Sequence, residues 1–161
     1  DLVWEAMGGA PLVLHKAVTA RSLKDLSEGL EKVLAGSIKL TLDTQNQVGD
    51  TAIHAAADQG WQEGVQKLIS ARVGVDVADW GGRTPLHSAV MGGEHSIVEV
   101  LLQGGASANS KDYDPDHDPN FTSASFEEHP WEHRTPLHYA AALGNVACMR
   151  LLLEKGAAEP N

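Results

Sequence analysis

A four-residue phrase recurs along this chain in register: Thr51-Ala52-Ile53-His54, Thr84-Pro85-Leu86-His87 and Thr135-Pro136-Leu137-His138. The interval from His54 to His87 is 33 and that from His87 to His138 is 51, which is the same period enlarged by an insertion of 18. Self-similarity at this spacing marks an array of small stacked units, each with too little apolar surface to fold alone. It turns the search for function toward a surface that binds and away from a pocket that reacts.

The unit is cleanest over residues 79–109. Asp79-Trp80-Gly81-Gly82-Arg83 is turn chemistry, Thr84 is a helix-capping residue, and Pro85 suits a first helical position, where no amide donor is needed. The pattern predicts a helix from Pro85 to about Met91, broken by Gly92-Gly93. A second helix opens at Glu94-His95-Ser96, with Ile97, Val98, Leu101 and Leu102 on one apolar face and Gly104-Gly105 as a left-handed stop. Gly49, Thr51, His54, Ala56, Ala57, Gly60, Val65, Leu68 and Ile69 occupy the matching places one unit earlier. Thr135, His138, Ala140, Ala141, Gly144, Met149, Leu152 and Leu153 occupy them one unit later. Upstream, Leu14-His15-Lys16-Ala17 repeats the His and Ala, but the Gly-x-Thr-Pro opening is missing and the interval from His15 to His54 widens to 39. That stretch reads as a divergent first unit acting as a cap.

The Thr-Pro-Leu-His-x-Ala frame, the glycines and the Leu-Leu pairs, recurring together, resemble the ankyrin repeat over about residues 12–161, the insertion excepted. The resemblance implies an all-α ankyrin-repeat solenoid of about four helix-turn-helix units joined by β-hairpin loops, with a long inserted finger before the last repeat. On that frame, residues 1–42 hold an N-terminal segment and the capping repeat, 43–78 and 79–111 one repeat each, 112–134 the extended hairpin, and 135–161 a last repeat expected to be truncated. A chain that starts without Met and stops where a further hairpin is due reads as a fragment of a longer protein.

The resemblance also assigns roles. It makes the recurrent histidines local hydrogen-bonding residues that stitch neighbouring hairpins and helix turns, so they are scaffold and not metal ligands or acid–base groups. Hairpin tips and the outer residues of the first helices line a concave binding groove in such proteins. Carried over by position, this places Trp80 and Arg83 on one tip with Ser88 and Met91 behind it, and Arg134, Tyr139 and Leu143 one repeat later. Trp80 is the sharpest candidate, because Trp and Arg dominate binding hot spots; packing against the inserted finger is its structural alternative. Trp61 is expected to cover the convex side or a layer edge. Asn109 resembles the hairpin asparagines that asparaginyl hydroxylases modify in ankyrin proteins; its plainer role is a hydrogen bond within its turn.

The formal net charge of −10 argues against duplex nucleic acid and against an anionic membrane surface, and favours a protein partner with a basic face. A single cysteine, Cys148, allows no intrachain disulfide, and no long apolar run or charged leader is present, so an intracellular chain, cytoplasmic or nuclear, is the expectation.

Between Asp112 and Glu132 lie seven acids, no Lys or Arg, and four aromatics, Tyr113, Phe121, Phe126 and Trp131. Such a loop is a recognition finger with aromatic anchors, a set of rings packed on the stack, or a solvated acidic excursion. Two motif matches inside it fail on chemistry. His129-Pro130-Trp131-Glu132-His133 reads as the H-x-x-E-H of inverted zinc peptidases, but that site needs both histidines on one helix face and a third ligand well downstream, whereas Pro136 starts its own helix three residues after His133, which leaves 130–134 extended, and only 28 residues follow His133. Asp112-x-Asp114-x-Asp116 opens like a calcium loop, yet His117 and Ser123 stand where an EF-hand needs glycine and glutamate. No glycine cluster cradles phosphate, and no nucleophile with an adjacent base can be assembled.

The sequence therefore predicts a non-enzymatic protein-interaction module with no cofactor and no bound metal. Its alternatives are the non-catalytic targeting or substrate-recognition region of a larger enzyme or ubiquitin-ligase adaptor and, further off, a metal-binding finger. Partner identity, pathway and oligomeric state are not encoded in such a scaffold.

Overall fold

Helices of seven and nine residues are too short to persist in water on propensity alone, so segments of this kind hold their shape only by burying apolar stripes against one another. The computed structural model describes residues 12–37, 41–112 and 134–156. Among them are four helix pairs: α1 (Val13–Thr19) with α2 (Leu23–Leu34), α3 (Ala52–Asp58) with α4 (Gln62–Ser70), α5 (Pro85–Met91) with α6 (His95–Gln103), and α7 (Pro136–Ala142) with α8 (Val146–Gly156). The first helices α1, α3, α5 and α7 form one row and the second helices another, each touching its pair-mate and its counterparts in adjacent pairs. This is the expected all-α solenoid; of the inserted finger, 112–134, only its ends Asp112 and Arg134 are among the described residues.

The core runs through the layers as a stripe. Ile53, Ala56, Ala57, Val65 and Leu68 in the second pair, and Leu86, Ala89, Val90, Ile97, Val98 and Leu101 in the third, are completely buried. Each large aliphatic among them contributes roughly 1.5–3 kcal/mol by leaving water. Alanine on the first helices permits close approach between rows.

Helix starts follow the sequence closely. Thr51, Thr84 and Thr135 are extended N-cap residues, and the histidine three places on closes a capping box, accepting the threonine N–H at Nδ1 over 3.1 Å in every case. Pro85 and Pro136 stand at the first helical position, and α5 spans the predicted residues. The predicted stop of α6 is sharper than Gly104-Gly105: Gly104 keeps a helical φ of −75° and only Gly105, at +93°, is left-handed. Gly60, Gly93 and Gly144 make the turn between paired helices at φ of 64°, 76° and 66°. In the first pair Arg21 occupies that place at φ 48°, and its guanidinium donates to the Gln59 carbonyl of the next layer. Leu12 replaces the capping threonine there without a side-chain bond, so the first unit is divergent in its backbone details as well as its residues.

Candidate partner-binding face

Each layer is joined to the next through one imidazole. With Nδ1 accepting a backbone N–H, the proton of His54 and of His87 must sit on Nε2, which donates to the Arg83 carbonyl at 3.0 Å and to the Arg134 carbonyl at 3.1 Å. His15 Nε2 meets the Asp50 carbonyl at 2.8 Å. Asp50, Arg83 and Arg134 are register equivalents, each the residue before a Thr. The histidines thus lie one per layer and share no cleft. Burial holds all three imidazoles below their ordinary range, and the carbonyl contacts only partly offset it.

The tip loops are built by a second register that the sequence reading missed. Asn46, Asp79 and Asp112 recur at the period of the histidines, each five places before its Thr once the insertion is removed. Asn46 Oδ1 accepts the N–H of Val48 and of Asp50, and Asp79 Oδ1 accepts those of Gly81 and Arg83, at 2.8–2.9 Å. Asp112 does the same across the insertion, accepting Arg134 N–H at 2.7 Å while its own N–H donates to the Arg134 carbonyl at 3.1 Å. The two ends of the inserted segment are therefore pinned together at one tip, by the bonds that close the short tips. The common spacing was the available signal, hidden by an Asn among Asp residues and by the insertion.

Of the predicted contact residues, Trp80, Arg83 and Arg134 sit on these tips, and Ser88, Met91, Tyr139 and Leu143 on or at the end of the first helices behind them. Trp80 is 54 % exposed, yet its ring and backbone lie directly over Gly49 of the preceding tip, where a Cβ would come within 2.5 Å. Trp80 thus packs on the preceding tip, and the inserted finger, its alternative partner, lies outside the described residues over 113–133. Val48, also 53 % exposed, accepts the Trp80 N–H at 3.4 Å, so the two form one apolar ledge across adjacent tips. Arg83 is tied down: its Nε donates to the buried Asp79 carboxylate at 2.9 Å, with 43 % of the side chain left exposed. Ser88 is half-buried, and Met91 and Leu143 are exposed at 42 % and 58 %. Arg134 is exposed and stands over the Tyr139 ring, 5.8 Å from its centroid. The half-buried Tyr139 meets His87 edge-on and donates its hydroxyl to Asp112 Oδ2; burial and that carboxylate push the phenol up to about 12. Tyr113, Phe121, Phe126 and Trp131 lie outside the described residues, as do both metal-like motifs apart from Asp112. Among the described residues no group of three or more His, Cys, Asp or Glu is placed to hold a metal.

Trp61 is buried, capping α4 against Gly64. Asn109 is exposed; its register equivalents Asp43 and Asp76 accept the N–H of Gly74 and Ser107 from the following unit, at 2.7 and 2.9 Å. The place held by Asn109 is thus an inter-unit tie in the two preceding units.

Paired short helices stacked in two rows and stitched through histidine define a helical-repeat scaffold. The ankyrin repeat model matches residues 14–112 as three copies and residues 132–161 once more, and the chain belongs to the ankyrin repeat family. It is 31 % identical over 145 residues to the B-cell lymphoma 3 protein homolog of Mus musculus, covering 89 % of this chain and 28 % of that protein. It is 36 % identical over 105 residues to inversin of Danio rerio, covering 65 % and 8 %, and 31 % identical over 106 residues to the E3 ubiquitin-protein ligase KEG of Arabidopsis thaliana, covering 63 % and 6 %. The chain thus spans less than a third of each of these relatives. Ankyrin repeats are in general protein–protein interaction modules, and among the described residues no helix is long and apolar enough to cross a membrane.

Proposed function

We propose that the tip ledge and the first-helix row form a protein-binding face, with Trp80 as its apolar anchor and Val48, Met91 and Leu143 as further contacts. The observation that carries this reading is the exposed indole on a tip whose backbone is fixed by Asn46 and Asp79, which limits the ordering entropy lost on binding. Arg83, Ser88, Arg134 and Tyr139 line the same face; the bonds of Arg83 to Asp79 and of Arg134 and Tyr139 to Asp112 make these three its frame as much as its contacts. The acids of the inserted segment, which leaves and rejoins the stack at the Asp112–Arg134 tip, favour a partner with basic residues, bound inside the cell. The four aromatics of that segment are further candidate contacts for the partner, and Asn109 is a candidate hydroxylation site, tested by intact mass after coexpression with an asparaginyl hydroxylase. The domain limits given above stand as part of this proposal.

Trp80→Ala should abolish capture of a partner protein while lowering stability by only about 1 kcal/mol, the share of an indole half removed from water. Deleting residues 114–131 should do the same. Capture retained by both variants, and lost instead in one altered on the second-helix row at Lys67, would move the interface to the opposite side. A second reading, a substrate-recognition region within a larger enzyme, is favoured by the ligase among the relatives and leaves the binding face unchanged.

A further inference from the structure

The tip before α3 differs from the next two in the sign of one charge. Asp50 stands where the following units carry Arg83 and Arg134, and it comes directly after Gly49, the glycine beneath the Trp80 ring. The ring atoms nearest Gly49 are Cδ1 and Cγ, so the indole is held at its root. Consecutive Cα atoms are about 3.8 Å apart, and the Asp50 side chain therefore starts beside the ground that the indole covers. Gln45 fixes the two tips to each other: its Nε2 donates to the Gly49 carbonyl at 2.8 Å and to the Ala78 carbonyl at 2.9 Å. Indole and carboxylate thus share one braced corner.

Asp50 is half-buried and makes no ion pair among the described residues. Arg83, the cation that acts on it, spends Nε on Asp79 at 2.9 Å, and the neutral His54 gives its Nε2 proton to the Arg83 carbonyl. Burial, with the Asp79 charge added, holds the Asp50 carboxyl above its ordinary range; His54, Arg83 and the Asn46 amide only partly offset this. Asp50 and Asp79 against Arg83 leave the corner short of one positive charge. The exposed indole adds the negative face of its π system, and exposed Val48 adds an apolar rim. Such a corner suits a cation carried on an apolar stem.

We propose that this corner receives an arginine of the partner protein, its guanidinium laid over the Trp80 indole and its N–H fork on the Asp50 carboxylate. The inference rests on the reading of the Trp80 face as the binding face. A single open ring stacks a planar group but does not surround a round ammonium, and a carboxylate accepts the guanidinium fork in two parallel bonds, so arginine fits better than lysine. The general preference for a basic partner thereby narrows to one side chain at one place.

The test selects random linear peptides, displayed on phage, against the whole chain, and titrates the enriched peptides by fluorescence anisotropy. They should share an arginine, and its replacement by citrulline, which keeps the shape and loses the charge, should weaken binding about tenfold. Lysine in its place should recover only part of that loss. Asp50→Asn should weaken the arginine peptide about tenfold as well and leave the citrulline peptide unchanged, the coupling of a direct pair. Glu63→Gln, the same change of charge on exposed α4, should leave both affinities within about twofold. Asp50→Asn keeps the backbone carbonyl that His15 meets and removes a carboxylate that burial disfavours, so its melting midpoint should not fall. Enriched peptides without an arginine, or with equal affinity after citrulline replacement, overturn this inference while their dependence on Trp80 keeps the binding face. Peptides that bind Trp80→Ala as well as the original chain, or a selection that enriches none, overturn both.

Discussion

One imidazole per layer does two jobs, capping its own helix through Nδ1 and holding the next layer through Nε2, and both require the neutral ring. Protonating Nδ1 sets a donor against the Thr51 or Thr84 N–H. Because burial lowers the folded His15, His54 and His87 below 6.5, the unfolded chain takes up these protons first. Their contribution is complete above about pH 6.5 and declines as the pH falls below it, until the folded rings protonate too. Asp50, raised chiefly by burial, acts in the opposite sense. Urea melts between about pH 7.5 and pH 5 should show stability falling with acidification, and His54→Gln together with His87→Gln should flatten that slope even though both lower the plateau. A second expectation concerns Gly49, at φ 86° beneath Trp80. Gly49→Ala should cost more than about 1 kcal/mol, from left-handed strain plus a clash with the Trp80 backbone, and should shift Trp80 fluorescence. The histidine frame was legible because identical residues recur at one interval. Val48 was not, because its role depends on a bond to the following tip, distant in sequence and adjacent only once the units stack.

At the level of elements, the tips and turns carry the divergence between units. Asp79 is buried with both carboxylate oxygens engaged, so Asp79→Ala leaves the Gly81 and Arg83 amides without their acceptor. It should cost about 2–3 kcal/mol in denaturant melts. Asp112→Ala should release the base of the inserted segment and the Tyr139 hydroxyl together, which a return of the phenol from about 12 toward its ordinary 10 would report in an absorbance titration. Arg72, at φ 64° where the next unit has Gly105, is left-handed and exposed; Arg72→Gly should stabilise by about 0.5–1 kcal/mol. Helix limits could be read from Thr, Pro and the glycine turns, since each leaves a local backbone signature. The tip fold was harder to read, because Asn46, Asp79 and Asp112 act through main-chain amides that leave no pattern in the apolar periodicity.

The whole molecule behaves as a row of layers whose stability is a sum of units and the interfaces between them. A deletion at the centre is therefore felt on two sides and one at the open end scarcely at all: Leu68→Ala should cost about 2–5 kcal/mol, and Leu153→Ala under about 0.5 kcal/mol. The proposed binding face lies where the repeat frame is broken, at exposed Trp80 and Val48 and at the Asp112–Arg134 tip, while the frame itself supplies rigidity. The stacking order is tested most directly by long-range proton–nitrogen NMR of the histidine side chains. The account predicts that His54 and His87 carry their proton on Nε2, exchange it slowly and resist protonation below pH 6.5, whereas His138 exchanges freely. Nδ1–H tautomers at His54 and His87, or equal exchange at all three, would contradict it.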